Sequence, residues 1–218
     1  MGNHKTLTKN QNLIFSEVAA DEYLRSQFYF TGGTALSAFY LNHRESEDLD
    51  FFSQKEFPSD EIVKRVSAWA KKYSFQVERR QRENVHVYNL QVPDGEILKV
   101  DFINHPYKSL EKGEIVDGIR VDSLADIATN KLLTINQRTQ VKDFVDLYFL
   151  LEKYTVWDLM EGMRIKYRMK TEPFFVASDF LKVEDFEFLP KMIKPFDLNE
   201  LKSFFREKAK ETAKKAVE

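Results

Sequence analysis

Asp48 and Asp50 stand two residues apart in the run DLDFF, and Asp101 is the one acid in the largely apolar run ILKVDFI. Alternation along a strand sends Asp48 and Asp50 to one face and Leu49 and Phe51 to the other, so the apolar pair reaches a core and the acids face an open site. Two carboxylates about 5 Å apart at an effective dielectric of about 20 repel by roughly 3 kcal/mol, so a positive group belongs between them. Oxygen-only ligands suit a hard cation, and Mg2+ is the usual companion of carboxylates and phosphates. An Asp-x-Asp match alone is weak, because an acid-rich chain produces one by chance. Asp101 strengthens it: a carboxylate on an apolar strand is costly to bury unless paired or metal-bound. Three acids on neighbouring strands suit two metal ions and an in-line phosphoryl transfer.

The segment that must position them is FYFTGGTALSAFYLNHRESEDLDFF, residues 28–52. A short aromatic strand runs into Gly32, Gly33 and Thr34, which open a helix expected over 33–41. Backbone N–H groups at such a start favour phosphate, so this turn is the expected seat of a nucleoside triphosphate. Arg44, four residues before Asp48, is placed either to neutralise the triphosphate or to clamp the Asp strand, with the first role favoured.

These motifs, GGTAL, Arg44 and Ser46 before DLDFF, then KVDFI, DIATNKL and VKDFVDLYFL, occur in the order found in nucleotidyltransferase toxins of the AbiEii/AbiGii type, which the chain resembles over about residues 25–150. The family's common Gly-Ser pair reads Gly33-Thr34 here, which keeps a hydroxyl for phosphate. The resemblance implies an α+β, polymerase-beta-like fold: a mixed sheet flanked by helices over residues 1–122, then a mainly helical region over 123–218 that packs against it and completes the active site. It implies an enzyme that moves a nucleoside monophosphate from an NTP to an acceptor hydroxyl. Asp48, Asp50 and Asp101 would be its metal ligands, for two Mg2+ ions, and Gly32, Gly33, Thr34, Arg44 and Lys131 its nucleotide contacts. It further implies a bacterial toxin-antitoxin or abortive-infection setting, tRNA as acceptor and a winged-helix antitoxin as partner. Fold-level analogy is a poor guide to substrate, so a small molecule such as an aminoglycoside, or a protein, stands as an alternative acceptor, and a catalytically idle binding module as a third reading.

Lys131 lies inside the apolar run IATNKLL, where a lysine either snorkels to solvent or reaches a buried anion. The resemblance assigns it to the nucleotide phosphates. Asp143 and Asp146 share a helix face at i, i+3 spacing. By the resemblance Asp143 belongs to the active site, holding Lys131, hydrogen-bonding the nucleotide or positioning the acceptor. Asp146 is equally well read as a structural partner for Arg138 or Lys142.

The remaining elements follow from periodicity. A helix is expected over 7–25, another beginning with Ser59 as N-cap, strands over 74–82, 85–92 and 97–103, and hairpin turns at Asp94-Gly95 and Asp117-Gly118. Ser123 and Asp126 suggest a capping box opening the first C-terminal helix, and residues 198–215 a final charged one.

With 218 residues, 43% hydrophobic, the chain can bury a full core, and a net charge of −2 argues against a dedicated basic nucleic-acid binder. Charge is unevenly spread, however. Lys64, Arg65, Lys71, Lys72, Arg79, Arg80 and Arg82 face a single acid, Glu78, and Arg164, Lys166, Arg168 and Lys170 form a second cluster. Each either accepts a polyanion such as RNA or merely solvates the surface. The absence of Cys excludes thiolate sites and fits a cytoplasmic setting, the N-terminus lacks an apolar signal segment, and no run approaches the ~18 apolar residues of a membrane span. The four His, at 4, 43, 86 and 105, show no zinc-ligand spacing.

Overall fold

The structure, a computed structural model, describes residues 6–93 and 95–215. His4 and Asp94 of the expected hairpin turn lie outside the described residues. The chain divides into two compact units. Of the described residues, the first comprises 6–40, 46–93, 95–108 and 112–122, and the second 41–45, 109–111 and 123–215.

The first unit opens with α1 (Lys9–Ala20) and α2 (Glu22–Gln27), where one helix was expected. Asp21 makes the break: its backbone is extended, and its carboxylate accepts the Leu24 N–H at 2.9 Å as the N-cap of α2. Then follow β1 (Tyr29–Thr31), α3 (Gly32–Leu36) with a π-turn over Ser37–Leu41, β2 (Leu49–Ser53) and α4 (Ser59–Tyr73). The N-cap of α4 is Pro58, one residue ahead of the serine expected there, and Ile62, Val66 and Trp69 form its buried stripe. β3 (Gln76–Arg82), β4 (Val85–Gln91), β5 (Ile97–Asn104), β6 (Ile115–Val116) and β7 (Ile119–Val121) complete the unit.

All seven strands form one sheet in the order β3-β4-β5-β2-β1-β7-β6. β2–β5 and β1–β7 pair in parallel, and the other neighbours are antiparallel, which makes the mixed sheet that two short hairpins had implied. Register places Phe30, Phe51 and Phe102 side by side, with ring centroids 5.2 and 5.5 Å apart, all fully buried. Burying each ring is worth roughly 2–3 kcal/mol, so this aromatic row fixes which face of the sheet is the core. Period two then sends the residues immediately before Phe51 and Phe102 to the opposite face. β3 is an edge strand with all seven residues exposed, blunted by Arg79, Arg80 and Arg82.

The second unit is helical: α5 (Leu124–Gln137), α6 (Val141–Leu150), α7 (Val156–Tyr167), α8 (Pro173–Phe180) running into a 3₁₀ turn, and α9 (Leu198–Lys215). Phe205 of α9 packs on Phe144 of α6 and Phe180 of α8 at 5.2 and 5.3 Å, at the centre of its own core. Ser123 caps α5 through the Asp126 N–H at 3.0 Å. The expected capping box is altered, because the Asp126 carboxylate is held by Lys166 at 2.6 Å and by the Leu110 and Glu111 N–H groups. That buried pair also removes Lys166 from the second basic cluster, whose reading as a patch of four is thereby corrected. Among the described residues no helix is long and apolar enough to cross a membrane.

Candidate active site

In the sheet unit the three predicted acids come together. Asp50 is directly beside Asp101 in the parallel β2–β5 register and beside Thr31 in the antiparallel β1–β2 register. Paired residues of adjacent strands project to the same face about 4.8 Å apart, so Thr31, Asp50 and Asp101 form a row behind which lies the row of phenyl rings. Leu49 and Phe51 are fully buried while Asp48 and Asp50 are partly exposed, the alternation expected from the residues.

The glycine turn sits against this row. Gly32 has φ +77°, and a Cβ built on it would lie 2.1 Å from Asp50 Oδ2. Glycine therefore serves twice: it supplies the left-handed backbone and leaves room for the carboxylate. Thr34 is buried and its hydroxyl donates to the Asp48 carbonyl oxygen. That bond ties the segment carrying Asp48 to α3, so the hydroxyl expected at the phosphate is engaged inside the fold. Thr31 is likewise occupied, donating to Asp122 Oδ2 at 2.9 Å.

A residue that sequence reasoning missed completes the cluster. Lys99, two residues before Asp101 on the same face of β5, places its Nζ 2.6 Å from Asp101 Oδ2 and 3.7 Å from Asp48 Oδ2. Burial alone would lower its pKa, but the bond to Asp101 and the fields of Asp101, Asp48 and Asp50 outweigh it and hold the amine above its ordinary value. The signal was present in KVD: residues i and i+2 of a strand share a face. The positive group demanded by the clustered acids is thus an ammonium carried by the chain.

The donor set fits a hard divalent ion in chemical type, since Asp48, Asp50 and Asp101 offer only carboxylate oxygen. As arranged, no group of three His, Cys, Asp or Glu among the described residues is gathered closely enough to cage a metal. The ammonium of Lys99 stands where the carboxylates of Asp48 and Asp101 converge.

The helical unit holds the second group of predicted residues. Lys131 is buried and bridges Asp143 Oδ1 at 2.8 Å and Asp146 Oδ2 at 2.6 Å. Asp143 also takes Arg138 Nε at 2.8 Å, and Asp146 takes both Arg44 Nε at 2.6 Å and Arg44 Nη2 at 2.8 Å. His43 Nε2 lies 2.7 Å from Asp146 Oδ1. Arg44, expected at the triphosphate or on the Asp strand, is therefore closed bidentately on Asp146, and its peptide bridges to Met192. Asp146 is indeed a structural partner, but of His43, Arg44 and Lys131; Arg138, one of the two partners expected for it, serves Asp143 instead. Burial would raise the pKa of Asp146, yet the charges of Lys131 and Arg44 and the His43 bond hold it well below the usual carboxylate range. Asp143 is lowered as well, against burial, by Lys131 and Arg138. Lys131 is raised despite burial by the fields of Asp146 and Asp143. The His43 ring is kept below its ordinary pKa, first by burial and then by Arg44 and Lys131.

A mixed α+β sheet with adjacent acids beside a glycine turn that opens a helix defines a nucleotidyltransferase-type protein. Solved structures share the fold. JHP933 from Helicobacter pylori aligns with a TM-score of 0.61 at 23% identity, over 99% of this chain and 92% of that one. MenT4, a nucleotidyltransferase toxin from Mycobacterium tuberculosis, aligns with a TM-score of 0.53 at 18% identity, over 92% and 82%. An uncharacterized protein of Aquifex aeolicus (strain VF5) is 35% identical over 191 residues, 85% of this chain and 88% of that protein. The family model for the nucleotidyl transferase AbiEii toxin of type IV toxin-antitoxin systems matches residues 14–217. The chain belongs to this AbiEii family of nucleotidyltransferase toxins.

Proposed function

We propose that this nucleotidyltransferase transfers a nucleoside monophosphate from an NTP to an acceptor hydroxyl, with release of pyrophosphate, using Asp48, Asp50 and Asp101 to hold two Mg2+ ions. The observation that carries the proposal is the pairing of Asp50 with Asp101 in one register beside Gly32. When bound, the ions would neutralise phosphate charge and acidify the attacking hydroxyl. Asp101 either holds the ion nearest that hydroxyl or takes its proton. Backbone N–H groups of Gly32, Gly33 and Thr34 orient the phosphates, with Gly32 giving them close approach. Lys131 and Asp143 are assigned to the nucleotide on the strength of family membership, Lys131 to offset charge growing on the departing pyrophosphate. Arg44 supports them by holding Asp146, a second anion bound to Lys131.

The acceptor we propose is tRNA, and the partner a cognate antitoxin of winged-helix type; both rest on kinship with toxins of toxin-antitoxin systems. Incubating the protein with each labelled NTP, Mg2+ and, separately, tRNA, total protein or an aminoglycoside tests both halves. Label entering tRNA in a reaction that needs Asp50 supports the reading. Label entering only protein or drug replaces the acceptor, and no transfer under any condition removes the mechanism.

A further inference from the structure

Asp48 and Asp101 direct carboxylate oxygens at one point, and that point is filled by the chain's own ammonium group. Lys99 Nζ is 2.6 Å from Asp101 Oδ2 and 3.7 Å from Asp48 Oδ2, and its side chain keeps 38% of its surface exposed while that of Asp101 keeps 8%. A lysine with that much access to water can extend into solvent, where an ammonium is best hydrated. Here it turns inward, because clustered carboxylates on one sheet face repel unless a cation stands among them. The strand pattern makes this placement available: Lys99 and Asp101 share a face of β5, and Asn89 of β4 stands opposite Lys99 in the register.

We propose that Lys99 is the resident counter-cation of the acid cluster in the metal-free protein, and that a divalent ion binds there by expelling the Lys99 ammonium to solvent. This rests on the assignment of Asp48, Asp50 and Asp101 as metal ligands. It gives Lys99 a definite function, to set the affinity of the site by competition and to keep the metal-free acids from repelling one another. The four-carbon stem suits the task, since it can swing out without moving the β5 backbone.

Calorimetric titration of the full chain with Mn2+ alone, without nucleotide, tests the competition in wild type, Lys99→Met and Lys99→Arg. Removing the competing charge is expected to tighten Mn2+ binding about ten-fold in Lys99→Met, whereas Lys99→Arg keeps weak binding. The metal-free Lys99→Met protein should melt below wild type and regain the difference on adding Mn2+. Saturable binding by Lys99→Met with wild type too weak to titrate also supports the proposal. Equal affinity in wild type and Lys99→Met overturns it while leaving the metal ligands standing. No binding by any of the three proteins overturns it together with the ligand assignment. Should Lys99→Met fail to fold, wild type decides the matter. The side-chain ammonium resonance of Lys99 in a nitrogen-15 NMR spectrum should lose its ion-paired character on adding Mg2+, and an unchanged resonance at saturating Mg2+ overturns expulsion.

Discussion

Gly32 and Asp50 are in such close apposition that a single carbon on the first would lie 2.1 Å from a carboxylate oxygen of the second. The contact couples the turn that opens α3 to the acidic row of the sheet. Gly32→Ala must push the Asp50 carboxylate aside and also hold an alanine at φ +77°, at a cost of about 1–2 kcal/mol for the backbone alone. We expect a folded protein, modestly weakened in urea denaturation, whose NMP transfer falls at least about a hundred-fold. Wild-type transfer by this variant would show that the apposition is incidental.

Asp50→Asn removes charge from a crowded acidic face without changing its shape. Transfer should drop by at least about a hundred-fold, while stability stays level or rises by less than about 1 kcal/mol as repulsion eases. Denaturant midpoints and NTP-labelling rates measured on one preparation separate the two effects. A variant that loses activity by unfolding would contradict the assignment of Asp50 to chemistry.

Asp146 and Lys131 differ in what they leave behind when replaced. Asp146→Asn takes the carboxylate charge away from buried Arg44 and leaves Lys131 with Asp143, and losing one partner of such a network costs about 3–5 kcal/mol. Lys131→Met leaves Asp146 still held by Arg44 and His43, and Asp143 by Arg138, so its stability loss should be the smaller of the two. Transfer should nevertheless be lost in Lys131→Met. Guanidinium melts read beside transfer rates check the ordering, and full activity in Lys131→Met would confine Lys131 to a structural part.

The pH dependence of stability follows from His43, whose folded pKa lies below its ordinary value of 6.5. The fold prefers the neutral ring, so this contribution is complete above about pH 6.5 and is lost as pH falls toward the folded pKa. His86, lowered by burial and by Arg79, acts in the same direction. Below about pH 4 the lowered carboxylates of Asp126, Asp143 and Asp146 add a second loss, since their stabilisation exists only above the unfolded pKa and vanishes as they protonate. Thermal melts between pH 8 and pH 5 should fall for wild type and less steeply for His43→Gln; equal slopes would remove His43 as a source.

Strand alternation in DLDFF and KVDFI was enough to assign each acid to the face opposite Phe51 and Phe102, because a period of two needs no tertiary information. The glycine turn, the mixed sheet and the helical C-terminal half were legible for the same reason: local pattern and turn chemistry specify them. Boundaries slipped where a side chain had two uses, as at Asp21, which ends one helix and caps the next. The partners of charged residues were not legible. Arg44 meets Asp146 across about a hundred residues of sequence, and Lys166 reaches Asp126 from another helix. An ion pair is decided by which buried charge lies within a few ångströms, and only the folded chain sets that distance. Lys99 falls between the two cases, since its face was written in the alternation of β5, but its turn inward, away from water, depended on β2 bringing Asp48 alongside.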